Sequence, residues 1–350
     1  MKEIFTKEYK IYFGNDVLEQ LSETLIEMSY SKVFVLIDEN TKKYCWPILS
    51  SYLVDTITIE IKSGEASKNI QTASKVWESL QENFADRRAV LINLGGGVLS
   101  DLGGFVAATY KRGIDFINIP TTLLAMVDAS VGGKQGLDMD SHKNVVGLFK
   151  HPTSIFIYPD FLKTLEKAEL KNGFVELCKH GLIDDKKLWD KLQSTDENNL
   201  ELLNPLIYQS IKIKVAIVKK DPLEKDIRKS LNFGHTIGHA FETFSLIHDK
   251  KPLKHGEAVV IGIICEAWLS MNKGWISRNE LENIKSFFIN RFPVYKNQIN
   301  MELLLQYMRN DKKNQNGQIN FSLLKKIGKS KIDITCTDQT IIDSIQYYLS

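Results

Sequence analysis

The stretch A-V-L-I-N-L-G-G-G-V-L-S-D-L-G-G-F-V-A, residues 89–107, sets the fold class. Its first residues, rich in β-branched and aliphatic side chains, read as a buried strand. Gly95, Gly96 and Gly97 turn the chain, and a helical pattern begins near Val98. Strand, glycine turn and helix N-terminus together make an anion cradle, because the first N–H groups of a helix lack intrahelical partners and glycine lets a phosphate approach the backbone. The dinucleotide fingerprint G-x-G-x-x-G is absent, since its third glycine falls on Ser100, and no Walker pattern occurs. A tight loop with no ligand is the plain alternative. Asp101 falls in the first turn of the helix, where a carboxylate suits the dipole but would repel a phosphate. Hydroxyl or amide donors are its expected partners.

Outward from this turn, short β-type runs alternate with helical ones between Ser31 and Ile157. The runs are K-V-F-V-L-I, T-I-T-I-E-I, A-V-L-I-N-L, F-I-N-I-P and S-I-F-I-Y, and N-I-Q-T-A-S-K-V-W-E-S-L is one of the helical patterns between them. That alternation predicts a largely parallel sheet with crossover helices. After Pro159 the β-type runs nearly vanish, and long helical periodicities fill the chain to about residue 310. Only N-G-Q-I-N-F-S-L-L, near residue 320, reads as a late hairpin. The expectation is an α/β domain over 1–162 and a helical domain over 163–350, with the default site in a cleft between them.

Composition sets limits on function. The 350 residues are 43% hydrophobic and 25% charged, ordinary globular values. A net charge of +2 from 45 basic and 43 acidic residues argues against a nucleic-acid partner. The basic run K-K-I-G-K-S-K near residue 330 reads as a solvated hairpin edge. Cys45, Cys178, Cys265 and Cys336 form no C-x-x-C pair and lie among apolar residues, so reduced buried thiols and a cytoplasmic location are expected. No signal peptide and no apolar run of membrane-spanning length is present, so no membrane association is expected.

Candidate chemistry gathers in several places. I-N-I-P-T-T-L-L-A-M-V-D-A-S-V-G-G-K-Q-G-L-D-M-D-S-H-K-N-V-V-G begins as a strand and continues as a glycine-interrupted loop offering Asp128, Lys134, Lys143 and Asn144. With Lys179, Lys214, Arg228 and Asn232 these suggest a pocket for a small polyanion. L-N-F-G-H-T-I-G-H-A-F-E-T places His235 and His239 one helical turn apart. Glu176 in E-L-C-K-H-G and His255 in L-K-H-G-E-A-V complete a Glu/His/His donor set suited to a catalytic metal with an open position. Spacing does not say which histidine of the pair joins.

The ordered motifs S-G-E-A-S-K, G-G-G-V-L-S-D-L-G-G-F, Y-K-R-G, P-T-T-L-L-A-M-V-D-A-S-V-G-G-K, K-N-V-V-G, E-L-C-K, R-K-S-L-N-F-G-H-T-I-G-H-A, H-G-E-A-V and D-K-K span most of the chain. Together they resemble the 3-dehydroquinate synthase family of sugar phosphate cyclases. The resemblance implies an α/β N-terminal Rossmann-like domain plus an all-α C-terminal domain, with NAD and one divalent metal, Zn2+ or Co2+. It implies metal ligands at Glu176, His235 and His255, with His239 facing substrate. NAD contacts are implied at Asp38, Asn40, Glu65, Lys68, Gly96, Gly97, Asp101, Thr121, Thr122, Asp128, Lys143, Thr164 and Leu165. Substrate contacts are implied at Lys134, Asn144, Lys179, Lys214, Arg228, Asn232, His239 and Lys312 or Lys313. Arg112 of Y-K-R-G matches a residue that reaches a neighbouring subunit's site, which implies a homodimer. One departure is Gln135, where the family usually has threonine after G-G-K, and it puts the local loop shape in doubt.

The implied reaction converts 3-deoxy-D-arabino-heptulosonate 7-phosphate (DAHP), a phosphorylated keto-sugar acid, to 3-dehydroquinate and phosphate. Its steps would be transient oxidation by NAD, β-elimination of phosphate, re-reduction, ring opening and an intramolecular aldol. Three rivals share parts of this pattern: a cyclase making 2-deoxy-scyllo-inosose, a metal-dependent polyol dehydrogenase, and a non-catalytic nucleotide-binding protein. The R-x-x-L-N set at Arg228 to Asn232 argues against the first. The number of phosphate-directed cations argues against the second, and the full metal triad against the third.

Overall fold

The computed structural model describes residues 1–139, 142–310 and 318–350. The chain divides into two compact units, Met1–Gly173 and Phe174–Ser350. The division lies beyond residue 162 and falls within the helix Lys167–Asp184. A boundary inside a continuous helix carries no loop and no change of periodicity for a sequence reading to find.

The first unit is built on a seven-stranded sheet. Its strands are β1 (Lys2–Phe5), β2 (Lys10–Phe13), β3 (Val33–Asp38), β4 (Thr56–Ile61), β5 (Val90–Gly95), β6 (Asp115–Pro120) and β9 (Ser154–Ile157), in the order β1-β2-β9-β6-β5-β3-β4. All pairs are parallel except β1 with β2. The five β-type runs of the sequence form β3, β4, β5, β6 and β9. β5 is buried at every position, as a strand covered on both faces must be. Its one polar side chain, Asn93, donates to Asn118 on β6 at 2.9 Å. It fits because a Cβ on Gly103 of the following helix would lie 1.8 Å from its Oδ1.

The segment that reads as a glycine-interrupted loop instead contains a hairpin of β7 (Lys134–Met139) and β8 (His142–Phe149). Gly136 and Gly147 face one another across it, and a Cβ on Gly147 would lie 2.5 Å from the Gln135 carbonyl. The glycines that suggest a loop are the residues that let these two strands close. Gln135 itself turns inward: its Nε2 donates to the Lys150 carbonyl at 3.1 Å, and Oε1 occupies space that a side chain on Gly104 would need.

The second unit is mainly helical. Four helices matter to the site: α5 (Lys167–Asp184), which enters from the first unit, α6 (Leu200–Lys220), α7 (His235–His248) and α8 (His255–Asn272). In the first unit α1 to α4 denote Val17–Met28, Glu39–Tyr44, Ile70–Glu82 and Gly97–Thr109. The expected late hairpin is β10 (Asn320–Lys326) with β11 (Lys329–Thr335). Helices α7 and α8 touch backbone to backbone: a Cβ on Gly262 would lie 1.8 Å from the Gly234 carbonyl oxygen and 2.8 Å from the Gly238 nitrogen. All four cysteines are free thiols, Cys45, Cys178 and Cys265 buried and Cys336 half-buried. Among the described residues no helix is long and apolar enough to cross a membrane.

Candidate active site

In the first unit the glycine turn sits where β5 ends and α4 begins. The turn has no room for side chains, since a Cβ on Gly96 would come within 3.1 Å of Thr122 Cγ2 and one on Gly97 within 3.2 Å of Ala129 Cβ. No side chain caps the start of α4. Thr121 closes the turn by donating its N–H to the Gly95 carbonyl at 3.0 Å, and the Thr122 hydroxyl accepts from Ala125 N at 3.2 Å. Asp128 lies on the single turn Ala125–Ala129 that follows.

Asp101, for which hydroxyl or amide donors are the expectation, instead takes the Lys68 ammonium at 2.6 Å. An ammonium buried to 4% exposure needs a charged partner, and Asp101 lies one turn into a helix that presents it to Lys68. Burial works against the Lys68 cation, but Asp101 and Glu65 outweigh it and raise its pKa. Lys68 also donates to Asn144 Oδ1 at 2.6 Å. Asn144 holds a left-handed backbone, φ 53°, and its N–H donates to Asp138 Oδ1 at 2.7 Å. Glu65 and Lys143 approach to 3.7 Å. Lys68, Asp101, Asn144, Glu65 and Lys143 are therefore brought together, along with Asp138, which the sequence reading misses.

The other first-unit candidates lie on other elements. Asp38 caps α2, accepting from Thr41 N at 2.8 Å, and Asn40 is exposed on that helix. Thr164 and Leu165 close the turn after β9, and Lys134 opens β7 with its side chain exposed. Arg112 is exposed in the turn after α4, where Lys111, Arg112 and Gly113 all carry positive φ.

In the second unit Glu176 on α5 is fully buried. Its two oxygens face different partners. Oε2 pairs with Lys179, one turn further along the same helix, whereas Oε1 lies 3.6 Å from His235 Nε2 and 3.7 Å from His255 Nε2. Ligand atoms of Glu176, His235 and His255 all lie within 4.8 Å of one another. The far side of each imidazole is also engaged. His235 Nδ1 lies 3.1 Å from the Phe233 carbonyl, and His255 Nδ1 lies 3.4 Å from Glu242 Oε2. A protonated Nδ1 on a carbonyl or carboxylate leaves Nε2 as a lone-pair donor, the arrangement of metal-ligating histidines. Burial disfavours a charged His255, yet Glu242 and Glu176 together push its pKa up to about 10, so the position attracts a cation. One carboxylate oxygen and two imidazole nitrogens converging in this way fit a tetrahedral ion with one open position.

His239 packs edge-on to His235 with ring centroids 5.1 Å apart. It belongs to a second grouping with Glu242 and His255. Glu242 is missed by the sequence reading although its spacing carries a signal: it lies seven residues after His235 and three after His239, on the same helix face. Lys214 on α6 and Arg228 are both buried, and Asn232 donates to Glu224 at 2.7 Å. Glu224 gives no sequence signal. Lys312 and Lys313 lie outside the described residues.

The architecture is that of the sugar phosphate cyclases. The chain is similar to 2-epi-5-epi-valiolone synthase from Streptomyces hygroscopicus, solved with NAD+ and Zn2+ bound, at 24% identity and TM-score 0.88, covering 99% of this chain and 98% of that one. It is also similar to 2-deoxy-scyllo-inosose synthase complexed with carbaglucose-6-phosphate, NAD+ and Co2+, at 23% identity and TM-score 0.84, covering 99% of each chain. Residues 58–172 match the family profile described as 3-dehydroquinate synthase N-terminal, and residues 173–314 the one described as 3-dehydroquinate synthase C-terminal. A 3-dehydroquinate synthase of Parabacteroides distasonis is 38% identical over 346 residues, 97% of this chain and 98% of its own length. One of Clostridium botulinum is 37% identical over 337 residues, 94% of this chain and 95% of its own length. The chain belongs to the 3-dehydroquinate synthase family.

The Lys68–Asp101 pair has a measurable consequence. Lys68→Met leaves the carboxylate without its buried cation, and because Asp101 keeps 18% side-chain exposure the expected loss is up to about 3 kcal/mol, the low end for broken buried pairs. Replacing both, as in Lys68→Met with Asp101→Leu, should restore most of it. Urea denaturation of the wild type, Lys68→Met, Asp101→Leu and the double variant, all ligand-free, checks this, and additive losses would show that the pair is not coupled.

Proposed function

We propose that the protein converts DAHP to 3-dehydroquinate and phosphate, the ring-forming step of the shikimate pathway, using NAD and one divalent ion, Zn2+ or Co2+. The observation that carries this reading is the convergence of Glu176, His235 and His255 beside buried cations, in a chain related over its full length to 3-dehydroquinate synthases. NAD, with contacts at the first-unit residues named above, supplies a hydride acceptor that is regenerated within each turnover. Held by Glu176, His235 and His255, the ion supplies positive charge that polarises substrate hydroxyls.

The remaining roles belong to side chains. Lys134, Asn144, Lys179 and Asn232 orient the phosphate, and Lys214 and Arg228 take the carboxylate. His239 faces the substrate. The final aldol step joins two carbons of one molecule, so what the site adds there is confinement of the opened intermediate, held by its carboxylate, near the ring-closing geometry. The protein acts as a cytoplasmic homodimer in which Arg112 serves the partner's site. Its exposure and left-handed backbone support that role, since such conformations cost of order 1–3 kcal/mol and are kept where function requires them.

Three outcomes follow. His235→Ala and His255→Ala should lose bound metal while His239→Ala keeps it, read by metal analysis of the purified variants; an empty His239→Ala protein beside a loaded His235→Ala protein would reverse the ligand assignment. With NAD far below the substrate concentration, many equivalents of phosphate should be released from DAHP per NAD, without lasting NADH absorbance. Stoichiometric NADH build-up would instead identify a dehydrogenase. Mixing inactive Arg112→Ala and Lys134→Ala subunits should restore part of the activity, and no recovery despite confirmed subunit exchange counts against a shared site.

A further inference from the structure

Helix α7 begins at His235 and has no cap of its own, because its N-cap residue is Gly234, in a left-handed conformation at φ 81°. The first N–H groups of a helix need acceptors from elsewhere. Here one side chain from another helix provides them. Glu266 of α8, fully buried, accepts from Gly234 N at 2.6 Å through Oε2, and from Thr236 N at 3.1 Å and Ile237 N at 3.2 Å through Oε1. The donors on either side of His235 are thus held by the same carboxylate. Glu266 reaches them because Gly262, one turn earlier on α8, lets the two helices meet at backbone distance.

We propose that Glu266 is a positioning residue for the metal site: it fixes the backbone of His235, and so the direction of that imidazole, by capping the first turn of α7. The His235 ring is then held from two sides, by its backbone through Glu266 and by the contact of Nδ1 with the Phe233 carbonyl. Nε2 is left directed at Glu176 Oε1. The same carboxylate belongs to the helix that starts with His255, so one side chain registers two ligand-bearing helices against each other. The inference rests on the reading of Glu176, His235 and His255 as metal ligands.

Glu266→Gln keeps the shape but removes the charge and turns one acceptor into a donor facing backbone N–H groups. The expected result is a folded protein that binds zinc about 10–100-fold more weakly in competition with a chelator, the usual penalty for losing an outer partner of a metal ligand, and an altered cobalt absorption spectrum. A cap with no bearing on the site would lower the denaturation midpoint and leave zinc affinity and the cobalt spectrum unchanged, which overturns the proposal. Should the variant not fold, hydrogen exchange in the wild-type protein decides: zinc must increase protection of the Thr236 and Ile237 amides, and equal exchange with and without zinc overturns it. A wild-type protein that binds no zinc removes the ligand reading as well, which separates that failure from the failure of Glu266 alone.

Discussion

Taking the Glu176 carboxylate fully out of water costs several kcal/mol unless cationic groups meet it, and the helical unit is arranged to meet it. Lys179 comes from the same helix, one turn away, and engages one oxygen. The other oxygen is left to His235 and His255, the first residues of α7 and α8. Helix starts are suitable places for such side chains, because the imidazole projects from the end of a rigid rod. Bringing both starts to one carboxylate requires the rods to approach closely, and the contact of Gly262 with Gly234 and Gly238 allows it. Any side chain at position 262 would collide with backbone, which cannot move aside as a flexible side chain can.

The first unit answers a different constraint with similar means. Its glycine turn is too crowded for side chains, so the backbone itself is the surface offered at the start of α4. The helix starts at Gly97, so Asp101 stands one turn in rather than in the first turn, and its charge there would still weaken attraction for an anion at the helix start. The Lys68 ammonium on Asp101 offsets that charge and leaves a neutral pair, with Asn144 drawn into the same network. Neutralisation of Asp101 by a lysine thirty-three positions earlier explains how an acidic residue can stand at a turn suited to phosphate.

The elements with strong local patterns were legible in the sequence: β5, its glycine turn and α4, and the five parallel strands as β-branched runs. The β7–β8 hairpin was not, because Gly136 and Gly147 weaken a strand pattern locally and earn their place only by facing each other. The metal set was half legible. Helical spacing could pair His235 with His239 but could not rank them, since their difference lies in where each ring points relative to Glu176 on another helix; only the family resemblance separated them. Glu242 could be found by extending that helical face. Glu266 could not, because a carboxylate following V-V-I-G-I-I-C looks like the polar edge of an apolar helix until α7 is seen against it. Where Gln135 points, inward against Gly104, was not legible either, because it depends on a neighbour remote in sequence.

Architecture alone is compatible with a polyol dehydrogenase, because a scaffold does not fix the chemistry it carries. The helical unit adds Lys179, Lys214 and Arg228, exposed by only 1%, 6% and 2%. Lys179 is met by Glu176, so Lys214 and Arg228 are the buried cations that hydride transfer to a neutral polyol does not call for. A substrate carrying a phosphate at one end and a carboxylate at the other does, since fixed cations hold such a molecule at groups remote from the reacting carbons. Of the two, the carboxylate contact would persist while the carbons beyond it are oxidised, lose phosphate and are reduced again. On the proposed reading, Lys214 and Arg228 would keep the carboxylate bound after the phosphate has left and so retain the ketone for re-reduction, which would let a redox cofactor act without net oxidation.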